Sequence, residues 1–156
     1  MMGNPGTGKT HLCAAVINTI VRKGYTALFT KAVRLLRQVK DTYSASSPVS
    51  ETELLVIDEI GVQFGTDTER MILFDILDSR YEDMMPTIVT TNIVSLPQLE
   101  RLIGSRLLDR FFEGHSQLLL FDWESYRRFG KAHQGTLSPG RKSNAPSYLR
   151  ALPTNP

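Results

Sequence analysis

The first residues that could carry out chemistry form a glycine-rich loop near the start of the chain. Gly3–Thr10 reads GNPGTGKT and matches G-x-x-x-x-G-K-[ST], a pattern typical of loops that bind nucleotide phosphates. Its glycines allow backbone N–H groups to converge on phosphate oxygens. Lys9 would neutralise the β- and γ-phosphates, and Thr10 would offer its hydroxyl to Mg²⁺. The residues predicted to bind the nucleotide are Gly3, Asn4, Pro5, Gly6, Thr7, Gly8, Lys9 and Thr10. The alternative is an ordinary glycine-rich turn.

A pair of acidic residues complements this loop. Leu54–Asp58 (LLVID) is a solidly apolar run that ends in an acid, as expected of a strand buried on both faces, and Glu59 follows directly. We expect Asp58 to hold Mg²⁺ and Glu59 to activate the water that attacks the γ-phosphate. The alternative is two solvated acids that open a turn at Gly61. Together, the loop and the pair indicate hydrolysis of a nucleoside triphosphate.

One amide and two arginines are further candidates. Asn92 follows the β-branched run Thr87–Thr91 and could position the attacking water, or act only as a cap or turn residue. Arg106 and Arg110 lie four residues apart and would share one helix face. An arginine that reaches a neighbouring subunit's γ-phosphate would spread the transition-state charge. The alternative is pairing with acids of the same helix region, Asp109 or Glu113, on a wet surface where ion pairs contribute little.

Alternating helix and strand patterns would position these side chains. Helices are predicted at Thr10–Lys23, Val33–Tyr43, Thr68–Asp83, Leu96–Ile103 and Ser105–Glu113. Strands are predicted at Tyr25–Thr30, Leu54–Asp58, Thr87–Thr91 and Ser116–Phe121, with a loop at Ser44–Glu53. This alternation predicts an α/β fold, with a parallel sheet and helices on both of its faces.

Length and composition are those of one globular domain. The chain has 156 residues, of which 41% are apolar and 22% charged. No apolar run approaches the roughly 20 residues of a membrane span, and no signal segment is recognisable. Because Cys13 is the single cysteine, we expect a cytoplasmic protein, with Cys13 in the core. The three histidines have no metal-ligand spacing; they are His11, His115 and His133.

Charge divides the chain into two regions. Residues 125–156 contain six Lys or Arg and no Asp or Glu, and residues 130–156 are rich in Gly, Ser, Pro and Asn. We therefore predict an ATPase domain at residues 1–129 and a basic, disordered tail at residues 130–156. The tail could contact nucleic-acid phosphates, or be a flexible, solubilising end.

Five motifs, taken in order, resemble the ATPase domain of the DnaC-type replicative helicase loaders. They are GNPGTGKT, LLVIDEIGVQ, TTN, IGSRLLDRF and FDWESYR, and the similarity runs from about Gly3 to Arg128. The related IstB-type ATPases of transposition share the loop and the acidic pair. The resemblance implies the AAA+ version of the P-loop NTPase fold, with ATP and Mg²⁺ as ligands. It also implies that Asn92 is the first sensor, Arg110 an arginine finger with Arg106 beside it, and Arg127 the second sensor.

The resemblance also implies a function and partners. A protein of this kind would load a ring helicase on single-stranded DNA in replication, and would self-associate so that Arg110 acts in trans. The N-terminal segment with which the family grips the helicase is not recognisable here. The strand that feeds the loop is expected to be missing as well, which suggests an N-terminally truncated form. In the family's sheet we expect that strand between those ending at Asp58 and Asn92.

Three other functions remain open on the sequence alone. The first is an IstB-type transposition ATPase. The second is a P-loop kinase, although kinases rarely place Glu after the metal-binding Asp because an activated water would waste ATP. The third is an inactive, truncated remnant of the family.

Overall fold

The computed structural model describes residues 1–41, 48–61, 66–114 and 116–129. The predicted tail, His115 and His133 lie outside these residues. The strands are β1 (Met2–Gly3), β2 (Ala27–Lys31), β3 (Leu54–Ile60), β4 (Thr87–Thr91) and β5 (Leu120–Phe121). The helices are α1 (Lys9–Arg22), α2 (Ala32–Asp41), α3 (Pro48–Glu51), α4 (Asp67–Glu82), α5 (Leu96–Ile103), α6 (Ser105–Arg110) and α7 (Tyr126–Phe129).

The five strands form one parallel sheet in the order β2-β3-β4-β1-β5. Its longest strand, β3, pairs with β2 on one side and β4 on the other. The carboxyl ends of parallel strands meet at one edge of a sheet, where α/β proteins bind their ligands. The phosphate loop follows β1, and the acidic pair lies near the end of β3, at that edge.

Successive residues of β3 pack into two cores on opposite faces of the sheet. Leu54 and Val56 belong to a core with Cys13 of α1. Leu55 and Ile57 belong to a larger core formed with residues of α2, α4, α5 and α6. Because adjacent side chains of a strand point to opposite faces, the all-apolar LLVI run requires helices on both sides. The predicted parallel sheet with two helical layers is confirmed, and Cys13 is in the core.

The strand that precedes the phosphate loop differs from two expectations, its absence and its place in the sheet. It is present in shortened form, as Met2–Gly3. It lies between β4 and β5, where Met2 pairs with Thr91 and Leu120. The expected place between β3 and β4 was wrong because those two strands pair directly with each other, as at Ile57 and Val89.

Smaller differences from the predicted elements concern two short helices and the last strand. Pro48–Glu51 forms the short helix α3 inside the predicted loop. The last predicted strand is reduced to Leu120–Phe121, and α7 was not predicted. These elements have two to four residues, which is too short for hydrophobic periodicity to identify them.

A buried arginine anchors the amino ends of β3 and β4. Arg80 of α4 is 3% exposed, and its guanidinium donates to Thr87 Oγ1 and to backbone carbonyls. The carbonyl acceptors are those of Val49, Thr52, Glu53 and Pro86. Because these four carbonyls, of which that of Val49 is buried, share one donor group, Arg80 fixes the segment that leads into β3 against the start of β4. This contact lies at the edge of the sheet opposite the phosphate loop.

Candidate nucleotide site

The phosphate loop connects β1 directly to the N-terminus of α1. Gly8 precedes the helix with a φ of 99°, a left-handed conformation that suits glycine. No side chain caps α1, so its first-turn N–H groups face the loop. The unpaired N–H groups and the dipole of a 14-residue helix favour an anion at this position.

Lys9 extends into the loop. It is 6% exposed, and its Nζ donates to the carbonyls of Gly3 and Asn4, both at 2.7 Å. Burial lowers the pKa of Lys9, and the nearby charges of Asp58 and Glu59 partly offset that effect. The acceptors of this ammonium are neutral oxygens, so phosphate oxygens would be stronger acceptors. A buried ammonium within the loop is therefore suited to bind the phosphates of a nucleoside triphosphate.

The two predicted metal ligands lie side by side. Asp58 is 2% exposed, and Thr10 Oγ1 donates to its carboxylate, at 3.2 Å from each oxygen. A hydroxyl and a carboxylate are oxygen ligands of the kind that Mg²⁺ prefers, with phosphates and water completing the shell. Thr10 and Asp58 thus fit the ion that accompanies a nucleotide.

Thr90 orients both acidic residues, and sequence reasoning missed it. Its hydroxyl donates to Asp58 Oδ1 at 2.6 Å and accepts from the backbone N–H of Glu59 at 3.0 Å. Thr90 is buried at the end of β4, beside β3. The sequence showed only a threonine near the carboxyl end of a β-branched strand. The pairing of β3 with β4 is what brings this threonine to the acidic pair.

Glu59 leaves the ladder of β3 in an unusual conformation. Its φ is 62°, and the pairing of β3 with β4 shifts register between Ile57 and Ile60. A positive φ is strained for a residue with a side chain and is frequent at functional sites. The Glu59 carboxylate accepts from Lys31 Nζ at 2.9 Å, and this hydrogen bond raises the pKa of Lys31. Lys31 ends β2 and was not among the predicted site residues.

One cavity of about 700 Å³ is lined by most of the site residues that were predicted to act on a nucleotide bound to the same chain. Its walls include Pro5–Thr10 of the loop, the acidic pair, Asn92 and Arg127. Trp123, Glu124 and Tyr126 also line it. A volume of this size is typical of cavities that hold a small ligand. Asn92 and Arg127, which are far from the loop in sequence, therefore line the same cavity as Lys9.

Arg110 lies outside this cavity. Its guanidinium pairs with Asp78 of α4 and with Glu113, both at 3.1 Å, and lies 4.6 Å from the ring centre of Tyr81. Hydrogen bonding to Arg110 lowers the pKa of Glu113. Arg106 likewise lies over the ring of Phe74. A role for Arg110 in a neighbouring subunit's site stays a prediction.

Comparison with known proteins identifies the family. The model of the IstB-like ATP binding proteins matches residues 1–134. The chain belongs to this family. The replicative helicase loader DnaC of Escherichia coli (strain K12) is 37% identical over 133 residues, which are 80% of this IstB-like chain and 54% of DnaC. The chain thus spans about half the length of the curated relatives it matches.

Solved structures identify the fold of this IstB-like protein. The crystal structure of the DnaC helicase loader matches with a TM-score of 0.68 and 26% identity, over 76% of this chain and 75% of that one. Replication initiator DnaA bound to AMPPCP and single-stranded DNA matches with a TM-score of 0.63 and 23% identity, over 79% of this chain and 39% of DnaA. At that identity, DnaA shows a likeness of fold alone. The predicted AAA+ P-loop fold and the resemblance to DnaC-type loaders are confirmed.

Two absences hold for the part of the chain that the structure describes. In it, no group of three or more His, Cys, Asp or Glu side chains is arranged to hold a metal ion. Across the same ranges, no helix combines the length and apolar character that crossing a membrane requires.

Proposed function

We propose that this protein binds Mg²⁺-ATP in the cavity between the phosphate loop and the acidic pair, and hydrolyses it. The observation that carries the proposal is the meeting of three groups from distant parts of the chain. They are the buried ammonium of Lys9, the hydroxyl of Thr10 and the carboxylate of Asp58. Membership in a family of ATP-binding proteins supports the identity of the nucleotide.

Each residue of the site has a separate role in the proposed reaction. The loop Gly3–Thr10 binds the phosphates through the backbone N–H groups of its residues other than Pro5, and Lys9 compensates the phosphate charge. Thr10 and Asp58 would hold Mg²⁺, which neutralises charge that develops on the phosphate oxygens. Glu59 accepts a proton from the attacking water once its carboxylate is free of Lys31. Asn92 and Arg127 line the cavity where they can orient that water and the γ-phosphate.

We further propose that hydrolysis serves the loading of a ring helicase on single-stranded DNA in the cytoplasm. The support is the similarity to DnaC, which is named a replicative helicase loader. Self-association would bring Arg110 to a neighbour's site, after exchange of its partners Asp78 and Glu113. The ATPase domain would comprise residues 1–129, followed by the basic tail.

A transposition ATPase is the second candidate. The observation that favours it is the family model itself, which describes IstB-like proteins and matches residues 1–134. Both candidates use the same ATP site, so the partner distinguishes them. A helicase loader would retain a ring helicase on single-stranded DNA, whereas a transposition ATPase would bind its transposase.

The test of hydrolysis is phosphate release from ATP with no phosphate acceptor present. We expect Mg²⁺-dependent release by the wild type and its loss in Glu59→Gln, which keeps the shape of the side chain but removes the base. The substitution should leave ATP binding intact. A protein that binds ATP but releases phosphate only when a small-molecule acceptor is added would be a kinase, contrary to the proposal.

A further inference from the structure

The phosphate loop is also held by a segment that comes more than 110 residues later, part of which lines the same cavity. We call this segment, Phe121–Tyr126, the brace. The indole Nε1–H of Trp123 donates to the carbonyl of Thr7 at 3.0 Å. The backbone N–H of Tyr126 donates to the carbonyl of Gly6 at 2.9 Å. Trp123 also packs on Phe121 of β5, with 4.8 Å between ring centres, so the brace is anchored to the sheet.

These two bonds control the direction of the loop's peptide groups. A loop binds phosphate through N–H groups that converge on the anion, and a carbonyl pointing to the same place would repel it. The ammonium of Lys9 donates hydrogen bonds to Gly3 O and Asn4 O. Gly6 O and Thr7 O, at the tip of the loop, are paired instead with the brace. The brace therefore keeps the tip carbonyls turned away from the Lys9 side of the loop.

Close packing supports the same conclusion. Gly6 has a φ of 78°, and a Cβ placed on it would collide with Ser125 Oγ. Glycine at this position thus serves two needs, a left-handed conformation and room for the brace. The N–H of Tyr126 is the first of α7 and has no acceptor within that helix. It donates to Gly6 O, so that both the N–H and the carbonyl are hydrogen-bonded.

We infer that the brace pre-organises the phosphate loop, with Trp123 and the Tyr126 N–H as positioning groups for nucleotide binding. The inference rests on the proposed function, since it concerns the affinity of the same site. Because the brace pairs with carbonyls of the phosphate loop and not with the base, its loss should lower the binding affinity for every nucleoside triphosphate by the same factor. Arg127 directly follows the brace in sequence and lines the same cavity as the tip of the loop.

A backbone substitution with a matched control tests the inference most sharply. Tyr126→Pro removes the N–H at the first position of a helix, where proline is tolerated. Tyr126→Ala removes the same side chain but keeps the N–H. With ATP and GTP titrated calorimetrically in the presence of Mg²⁺, the Pro variant should bind both at least about 2- to 10-fold more weakly than the Ala variant, because the hydrogen bond is lost and the ring Cδ displaces Gly6 O from the former N–H.

A second variant removes the other bond. Trp123→Phe keeps an aromatic ring to pack on Phe121 but lacks the indole N–H. We expect a rise in KM of about 2- to 10-fold with a smaller change in kcat, because the bond is present before and during the reaction. Circular dichroism melts without nucleotide identify any variant that fails to fold, and the other substitution then decides.

Different results overturn the inference and the proposed function. Equal affinities of the Pro and Ala variants, with Trp123→Phe equal to wild type, would show that the loop needs no brace. A loss for ATP but not GTP would mean that these residues contact the base instead, which also contradicts the inference. A wild-type protein that binds no nucleotide would refute the proposed function itself.

Discussion

Lengthening β1 should stabilise the protein by filling a groove between β4 and β5. Met1 N donates to Val89 O at 2.7 Å, and Thr91 N donates to Met1 O at 3.0 Å. In a parallel ladder these bonds turn the N–H of Val89 and the carbonyl of Thr87 toward the same groove. Three residues added before Met1 would therefore pair with Val89, Ile88 and Thr87 in turn.

The size of the effect follows from the space beside this ladder. A cavity of about 130 Å³, lined by Met2, Val89, Leu99 and Phe111 among others, lies on the face to which the first and third added side chains would point. This cavity is partly open to solvent, so the gain comes from the apolar area that the added side chains bury in it. Burial of three apolar side chains at about 1.5–3 kcal/mol each is opposed by about 1–2 kcal/mol per residue of ordering entropy. We expect a net gain of about 1–3 kcal/mol.

Denaturant unfolding of two extended proteins measures this gain. One carries Val-Ile-Val before Met1, and the matched control carries Ser-Asn-Ser, which adds the same backbone without apolar side chains. The Val-Ile-Val form should have the higher midpoint at an unchanged m-value. Equal midpoints for the two extensions would refute the reasoning, because they would show that the groove does not accept an apolar strand.

Three other substitutions have distinct expected outcomes. Lys31→Met should raise basal ATP turnover about 2- to 10-fold by freeing the Glu59 carboxylate from one ion pair, whereas Lys31→Arg should not; unchanged phosphate release in Lys31→Met would contradict this. Mixing Arg110→Ala chains with Glu59→Gln chains should restore hydrolysis where the two intact residues meet at one interface; wild-type turnover per chain that is independent of concentration would argue against it. Arg80→Met should lower the free energy of unfolding by about 2–4 kcal/mol because four carbonyls and Thr87 Oγ1 lose the buried guanidinium that bonds them, whereas exposed Arg101→Met should change it by less than about 0.5 kcal/mol in the same melt.

Residues whose chemistry depends on local spacing could be predicted from the sequence. Lys9 and Thr10 lie in one short motif, and Asp58 ends a run that is apolar on both faces of a strand, so each was recognisable without neighbours. The parallel sheet followed from the alternation of β-branched runs with helical periodicity. The same patterns contain no information on strand order, and the place expected for β1 on the resemblance, between β3 and β4, was wrong.

Residues recruited by tertiary contact could not be predicted in this way. Thr90 supports the acidic pair because β4 pairs with β3, and Lys31 reaches Glu59 because β2 pairs with β3. Trp123 joins the phosphate loop because β5 lies next to β1. Each of these side chains is of an ordinary type in its own segment, and only the topology gives it a role.

The measurement that tests the central claim most directly is calorimetric titration of ATP, with Mg²⁺ present, into wild type and Lys9→Ala. The account predicts saturable binding by the wild type and a loss of at least about 100-fold in affinity in Lys9→Ala, because a buried, charge-assisted phosphate contact is removed. Glu59→Gln serves as the control that alters the same cavity without touching the phosphate contacts. Equal ATP affinity in the wild type and Lys9→Ala would contradict the account.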